Sequence, residues 1–135
     1  MDVKNFFQNI FSGGKSTQVP SSVKTSFAQQ FPEPLNTEWQ KTGDQFEAVF
    51  YKDELEHIAR YKANGEMSCL KINLHLDSLP EIVSKAAKIH GELMNAISIL
   101  CDGDRKYELI VRDPDLNRYF LLITPEGEVS EKEKL

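Results

Sequence analysis

The chain has 135 residues, 40% of them hydrophobic, and a formal net charge of −5 at pH 7. That is enough apolar material for one domain, or for two very small units sharing a core. The acidic balance lacks the basic stripe that nonspecific nucleic-acid binding needs, and no window approaches the ~18 apolar residues of a membrane span.

Residues 2–11 read as a short amphipathic helix, with Asp2 at its start and Gly13 and Gly14 as its stop. Phe6, Phe7, Ile10 and Phe11 fall on one face at helical spacing. The stretch "SGGKSTQ" reads as a linker. Pro20 then suits a first helical turn, where its missing N–H costs nothing. Val23, Phe27 and Phe31 follow at four-residue steps, and "PEP" ends the helix. Strands are expected over 37–42, 45–52, 56–63 and 66–76. Asn64 and Gly65 form the strongest hairpin signal, since both tolerate positive φ. In 66–76, Leu70, Ile72, Leu74 and Leu76 alternate with Lys71, Asn73 and His75, which predicts one buried face.

The plan then recurs. A helix is expected over 80–90, presenting Val83, Ala86, Ala87 and His90, with Gly91 as its stop. Strands follow at about 93–101, 106–113, 118–124 and 128–133. Val19 and Pro20 align with Leu79 and Pro80, Val23 with Val83, and Trp39 with Ile99, each 60 residues on. Phe46, Ala48 and Phe50 align with Tyr107, Leu109 and Val111 at a spacing of 61. His57, Ala59 and Tyr61 align with Tyr119, Leu121 and Ile123, and Gly65 with Gly127, at 62. Matched proline, matched alternation and a matched turn glycine point to an internal repeat. The expected organisation is an N-terminal helix and linker over 1–18, a first repeat over 19–76 and a second over 77–135, in one compact body.

The segments "VPSSVKTSFAQQFP", Trp39, "QFEAVFY", "ARYKANGEM" and "LPEIV" carry a resemblance to the PepSY-like proteins that are similar to β-lactamase-inhibitor protein (BLIP-like). The resemblance covers about 19–135 and is stronger in the first repeat. In the second, Gly91 replaces the aromatic that ends the helix and Ile99 stands in place of Trp39. It implies an α+β fold of two tandem units, each a helix across an antiparallel sheet, with no assigned catalytic residue and no cofactor. Most such proteins are exported. This sequence opens without a continuous apolar h-region, so a cytoplasmic placement is expected instead. Inhibition of a β-lactamase does not follow from a shared fold.

Catalytic and metal signatures are weak. His57, His75 and His90 form no ligand spacing, and a structural role is expected for His57 on the inward face of its strand. Acidic pairs sit in turns or near the C-terminus and read as solvated charge. "DPDLN" at 113–117 is faintly like a calcium loop but lacks the glycine and the bidentate glutamate such a loop uses. "SGGKST" lacks the first glycine of a phosphate loop. Cys69 and Cys101 read as buried free thiols, the alternative being a disulfide in an oxidising compartment.

The sheet faces say more. With Phe46, Ala48, Phe50, Tyr107, Leu109 and Val111 packed on the helices, the opposite face carries Glu47, Val49, Tyr51, Ile58, Arg60, Glu108, Ile110, Arg112, Phe120 and Leu122, of which all but the two glutamates are candidate partner contacts. Aromatics, aliphatics and arginine together are the composition of partner surfaces. The expected function is a non-enzymatic binding protein using this open face on a protein partner or in a homodimer, with neither nucleic acid nor a transmembrane segment involved. The alternatives are a small-ligand carrier of cystatin-like or nuclear-transport-factor-like α+β type, and a membrane-surface protein anchored by residues 2–11. The same four apolar residues of 2–11 can instead cover the sheet.

Overall fold

A computed structural model describes residues 18–135 of the chain; the helix expected over 2–11 lies outside them, as does its linker through residue 17. The fold is α+β. The elements in order are α1 (Ser21–Gln30), β1 (Leu35–Thr42), β2 (Gln45–Lys52), β3 (Leu55–Lys62), β4 (Met67–Leu74), a 3-10 turn (Leu76–Ser78), α2 (Glu81–Lys88), β5 (Glu92–Cys101), β6 (Asp104–Arg112), β7 (Arg118–Ile123) and β8 (Val129–Lys134). Two compact units result, the first ending at Ile72 and the second being Asn73–Leu135.

In the first unit β1 to β4 pair antiparallel in sequence order. Pro20 opens α1, and its carbonyl accepts from the backbone N–H groups of Val23 and Lys24, both at 3.1 Å. Val23 and Phe27 bury one stripe of the helix. Phe27 is the hub of an aromatic cluster, with ring centroids 5.1 Å from Trp39, 5.0 Å from Phe50 and 5.7 Å from Phe31. Edge-on packing of this kind adds about 0.5–1.5 kcal/mol per pair beyond area burial. Ala48 and Ala59 fill the narrow places beneath. Tyr61 is buried with them; its hydroxyl donates to Gln30 Oε1 at 2.6 Å, and burial pushes its pKa up to about 12.

The second unit also packs a helix on an antiparallel sheet, with smaller helix side chains. The Pro80 carbonyl accepts from Val83 and Ser84 at 3.0 and 2.9 Å. Val83 and Ala87 pack onto Ala96, Leu109, Val111, Leu121 and Ile123. β5 to β8 pair antiparallel, again in sequence order. Where the first unit has Phe31, the second has Gly91. Its φ is +152°, and a Cβ there would lie 2.6 Å from the Arg112 carbonyl oxygen, so the backbone leaving α2 rests directly on β6.

β4 departs from expectation. It ends at Leu74 rather than 76, and the buried positions along it are Ser68 and Lys71, while Leu70 and Ile72 are only half-buried. The alternation of leucines had put Lys71 on a solvent face. Both faces of β4 are covered, a condition that a period of two does not reveal.

Candidate functional site

Each unit has a sheet face turned away from its helix. In the first unit, the cross-strand pairs Val49↔Ile58, Glu47↔Arg60 and Tyr51↔Glu56 set which side chains share it. At its centre Glu47 is 1% exposed. A buried carboxylate persists only if its lone pairs are satisfied. Here Thr42 Oγ1 donates to Glu47 Oε1 at 2.6 Å and Gln40 Nε2 at 3.3 Å, while Arg60 donates to Oε2 from Nε at 3.3 Å and Nη2 at 3.1 Å. Four donors thus hold the carboxylate, which argues against its use as a general base. They also fix the guanidinium of Arg60, which keeps 20% of its side chain in water.

The second unit places Glu108 at the corresponding position, 61 residues on, and it too is 1% exposed. It stands opposite Ile97 on β5 and Leu122 on β7. Ile110 faces Phe120, and at the rim Arg112 pairs with Glu92 at 3.1 Å. Alternation along the strands places both carboxylates on this face, but it does not show that they are buried. What links them in the sequence is spacing, since the 61 residues between them also separate Phe46 from Tyr107.

The face expected to be open is therefore buried at its centre. Ile58 and Phe120 are inaccessible, at 1% and 4% exposure, although neither belongs to a helix–sheet core cluster. Both drop out of any partner surface. Val49, Arg60, Ile110, Arg112 and Leu122 remain half-buried, and Tyr51 is exposed. The Tyr51 hydroxyl is tied to Glu56, whose negative charge, with partial desolvation and a hydrogen bond, raises the phenol pKa.

Apart from Leu76 and Ile82, which lie just before and at the start of α2, the exposed large apolar side chains of the described residues gather elsewhere, at the end of each unit where the helix finishes. In the first unit Leu35 and Tyr51 face each other there across β1 and β2. In the second the end carries Ile89, Met94, Leu116 and Leu135. Leu116 tips the β6–β7 turn, 70% exposed and at φ +67°, a left-handed conformation that a leucine seldom adopts. Hydrogen bonds hold it there: Leu116 N–H donates to the Asp113 carbonyl, Asp113 N–H to the Asn117 carbonyl and Asn117 N–H to Asp113 Oδ1, each at 2.9 Å. Partial desolvation pushes the Asp113 carboxyl up, but hydrogen bonds from Asn117, Asp115 and Tyr119 outweigh it and hold the group below its ordinary value. The Tyr119 phenol is raised, first by desolvation and then by the Asp113 charge. The oxygens of "DPDLN" thus serve the turn itself.

His57 is buried, donating from Nδ1 to the Leu55 carbonyl at 2.9 Å and stacked 5.2 Å from Phe50, which is the structural role expected of it. Lys132 Nζ donates to His90 Nδ1 at 3.2 Å. Among the described residues no three His, Cys, Asp or Glu side chains are grouped to hold a metal ion, and no helix is long and apolar enough to cross a membrane. Both cysteines are disulfide-bonded, which corrects the free-thiol reading. Leu76, Asp77, Ser84, Lys88, Glu92 and Leu93 line an open cavity of about 410 Å³.

No family model matches the chain, and no curated protein matches it. Its fold is that of several solved structures from Bacteroides. A protein of Bacteroides eggerthii, provisionally described as periplasmic, superposes with a TM-score of 0.77 at 19% identity, over 87% of this chain and 90% of its own. A DUF2874 family protein of Bacteroides uniformis gives 0.76 at 17%, over 87% and 90%. A BLIP-like protein of Bacteroides fragilis gives 0.74 at 12%, over 89% of each chain. The BLIP-like fold expected from the sequence is the fold found.

Proposed function

We propose that the chain is a non-catalytic binding protein that engages a protein partner through the accessible part of its helix-free sheet faces and the apolar ends beside them. In the first unit this surface comprises Val49, Tyr51, Arg60 and Leu35; in the second, Ile110, Arg112, Leu122 and Leu116. What carries the reading is the crowding of exposed apolar side chains at the unit ends, above all Leu116, held out in a left-handed conformation by the Asp113 turn. A strained, solvated leucine costs stability, and such strain gathers at contact sites. An enzyme is a poorer fit, because the Glu47 carboxylate is spent on four donors. A carrier needs a deep apolar pocket, whereas both helix–sheet interfaces are filled by side chains.

The two units are, in this reading, copies of one helix-plus-sheet plan. Gly65 supports this by meeting the second residue of α1, Ser22, as Gly127 meets the second residue of α2, Ile82. In place of the cytoplasmic expectation, we assign the protein to an oxidising compartment outside the cytoplasm. Disulfide-bonded cysteines and a fold neighbour provisionally described as periplasmic support that placement.

Affinity capture from the native host tests the binding reading. Wild type should retain a protein that Tyr51→Ala and Leu116→Ala each lose, while their melting temperatures stay at or above that of wild type. Equal capture by wild type and both variants would sink it.

A further inference from the structure

β8 sorts its charges by face. Glu131 and Glu133 stand opposite Leu122 and Phe120 on the helix-free face. Lys132 and Lys134 stand opposite Leu121 and Tyr119 on the helix side. Lys132 is pinned there, its Nζ 4.7 Å above the Tyr119 ring and 3.2 Å from His90 Nδ1. Among the described residues of the second unit, β8 pairs only with β7. Its outer edge therefore presents a row of N–H and C=O groups, the usual template for adding a further strand.

We propose that β8 is a self-excluding edge, one whose charge sorting bars a second folded copy of this chain from adding to it strand to strand. The reason is geometric. Two identical folded edges meet antiparallel only about a two-fold axis perpendicular to the sheet. That axis keeps both helices on the same side, so helix-side residues meet helix-side residues. In the central register Lys132 faces Lys132 of the second copy, and Glu131 faces its Glu133. Sliding by two residues in one direction sets Glu133 against Glu133; sliding in the other sets Glu131 against Glu131. Like charges directly opposite destabilise a strand pair, and in every antiparallel register centred on Glu131, Lys132, Glu133 or Lys134 all charge pairs within the strand are alike, which leaves only short overlaps centred on Val129 or Ser130. Net charge alone would not do this, because Glu131 to Lys134 sum to zero. The first strand is guarded differently, by an irregularity between Leu35 and Glu38 with Asn36 at φ +52°.

The test keeps composition and net charge constant. The double variant Lys132→Glu/Glu133→Lys puts one acid and one base on each face, so that in the central register the three like pairs of wild type become one, the introduced glutamate meeting its own copy, beside two opposite pairs of Glu131 with the introduced lysine. Sedimentation equilibrium at low salt should show wild type as a monomer and the variant self-associating at least about tenfold more tightly, with β8 amides newly protected from hydrogen exchange. In case the swap disturbs the edge itself, a second variant carries threonine at 131, 132, 133 and 134 and should associate likewise. Wild-type pairing through β8 at low salt would overturn the proposal, and so would folded variants, judged by thermal melts, that associate no more tightly than wild type.

Discussion

Glu47 shows how one buried charge organises its surroundings. Removing one partner of such a pair leaves the rest desolvated and unpaired, which costs more than the pair contributed. Glu47→Ala should destabilise the fold by about 3 kcal/mol, the lower end of the range for breaking a buried pair, because Arg60 retains contact with water. Replacing Glu47 and Arg60 together by leucine should recover much of that loss. Urea midpoints for the single and double variants measure both. Asp113 makes a prediction about pH. Its folded pKa lies below the ordinary 3.8, so its contribution is present above the unfolded pKa and disappears as pH falls through the lower folded value. Asp113→Asn should therefore be less stable than wild type near neutrality, and the gap should close in acid. Thermal melts over about pH 2 to 6 follow it.

The helices differ at the level of whole elements in a way their sequences state openly. Phe27 and Phe31 of the first unit correspond to Ala87 and Gly91 of the second. A slimmer helix either leaves a void or approaches its sheet, and Gly91 shows the approach, its backbone against that of Arg112. Gly91→Ala should cost about 3 kcal/mol, combining overpacking against immovable backbone with a φ that side chains avoid. Phe27→Ala should cost about 3–5 kcal/mol by the opposite route, opening a cavity among Trp39, Phe31 and Phe50. Calorimetric unfolding of the two variants separates these cases, since only the cavity is relieved by substituting a residue of similar volume such as Leu. Element boundaries were legible almost throughout, because proline, the Asn64 and Gly65 turn and the periods of the apolar residues are local signals. β4 misled because leucines at alternate positions mark one apolar face and say nothing about whether the other is wet.

For the whole molecule, the disulfide state carries a prediction of its own. Protein purified without reductant should contain no free thiol on denaturation, and reduction should lower its stability by about 2–5 kcal/mol, the usual cost in a domain of this size. A thiol count of two in the native, oxidised preparation would remove the extracytoplasmic placement.

By itself the sequence determined the order and type of the described elements and the helix-facing stripes, since each rests on residues a few positions apart. Tertiary structure alone decided which faces are dry. Ile58 and Phe120 on the expected open face, Lys71 among its leucines and the paired positions Glu47 and Glu108 are all buried, as no strand read alone could show. Alternation establishes that a strand has two different faces. What covers each face, and which cysteines are oxidised, depends on chain segments far apart in sequence, and that information exists only once the chain has folded.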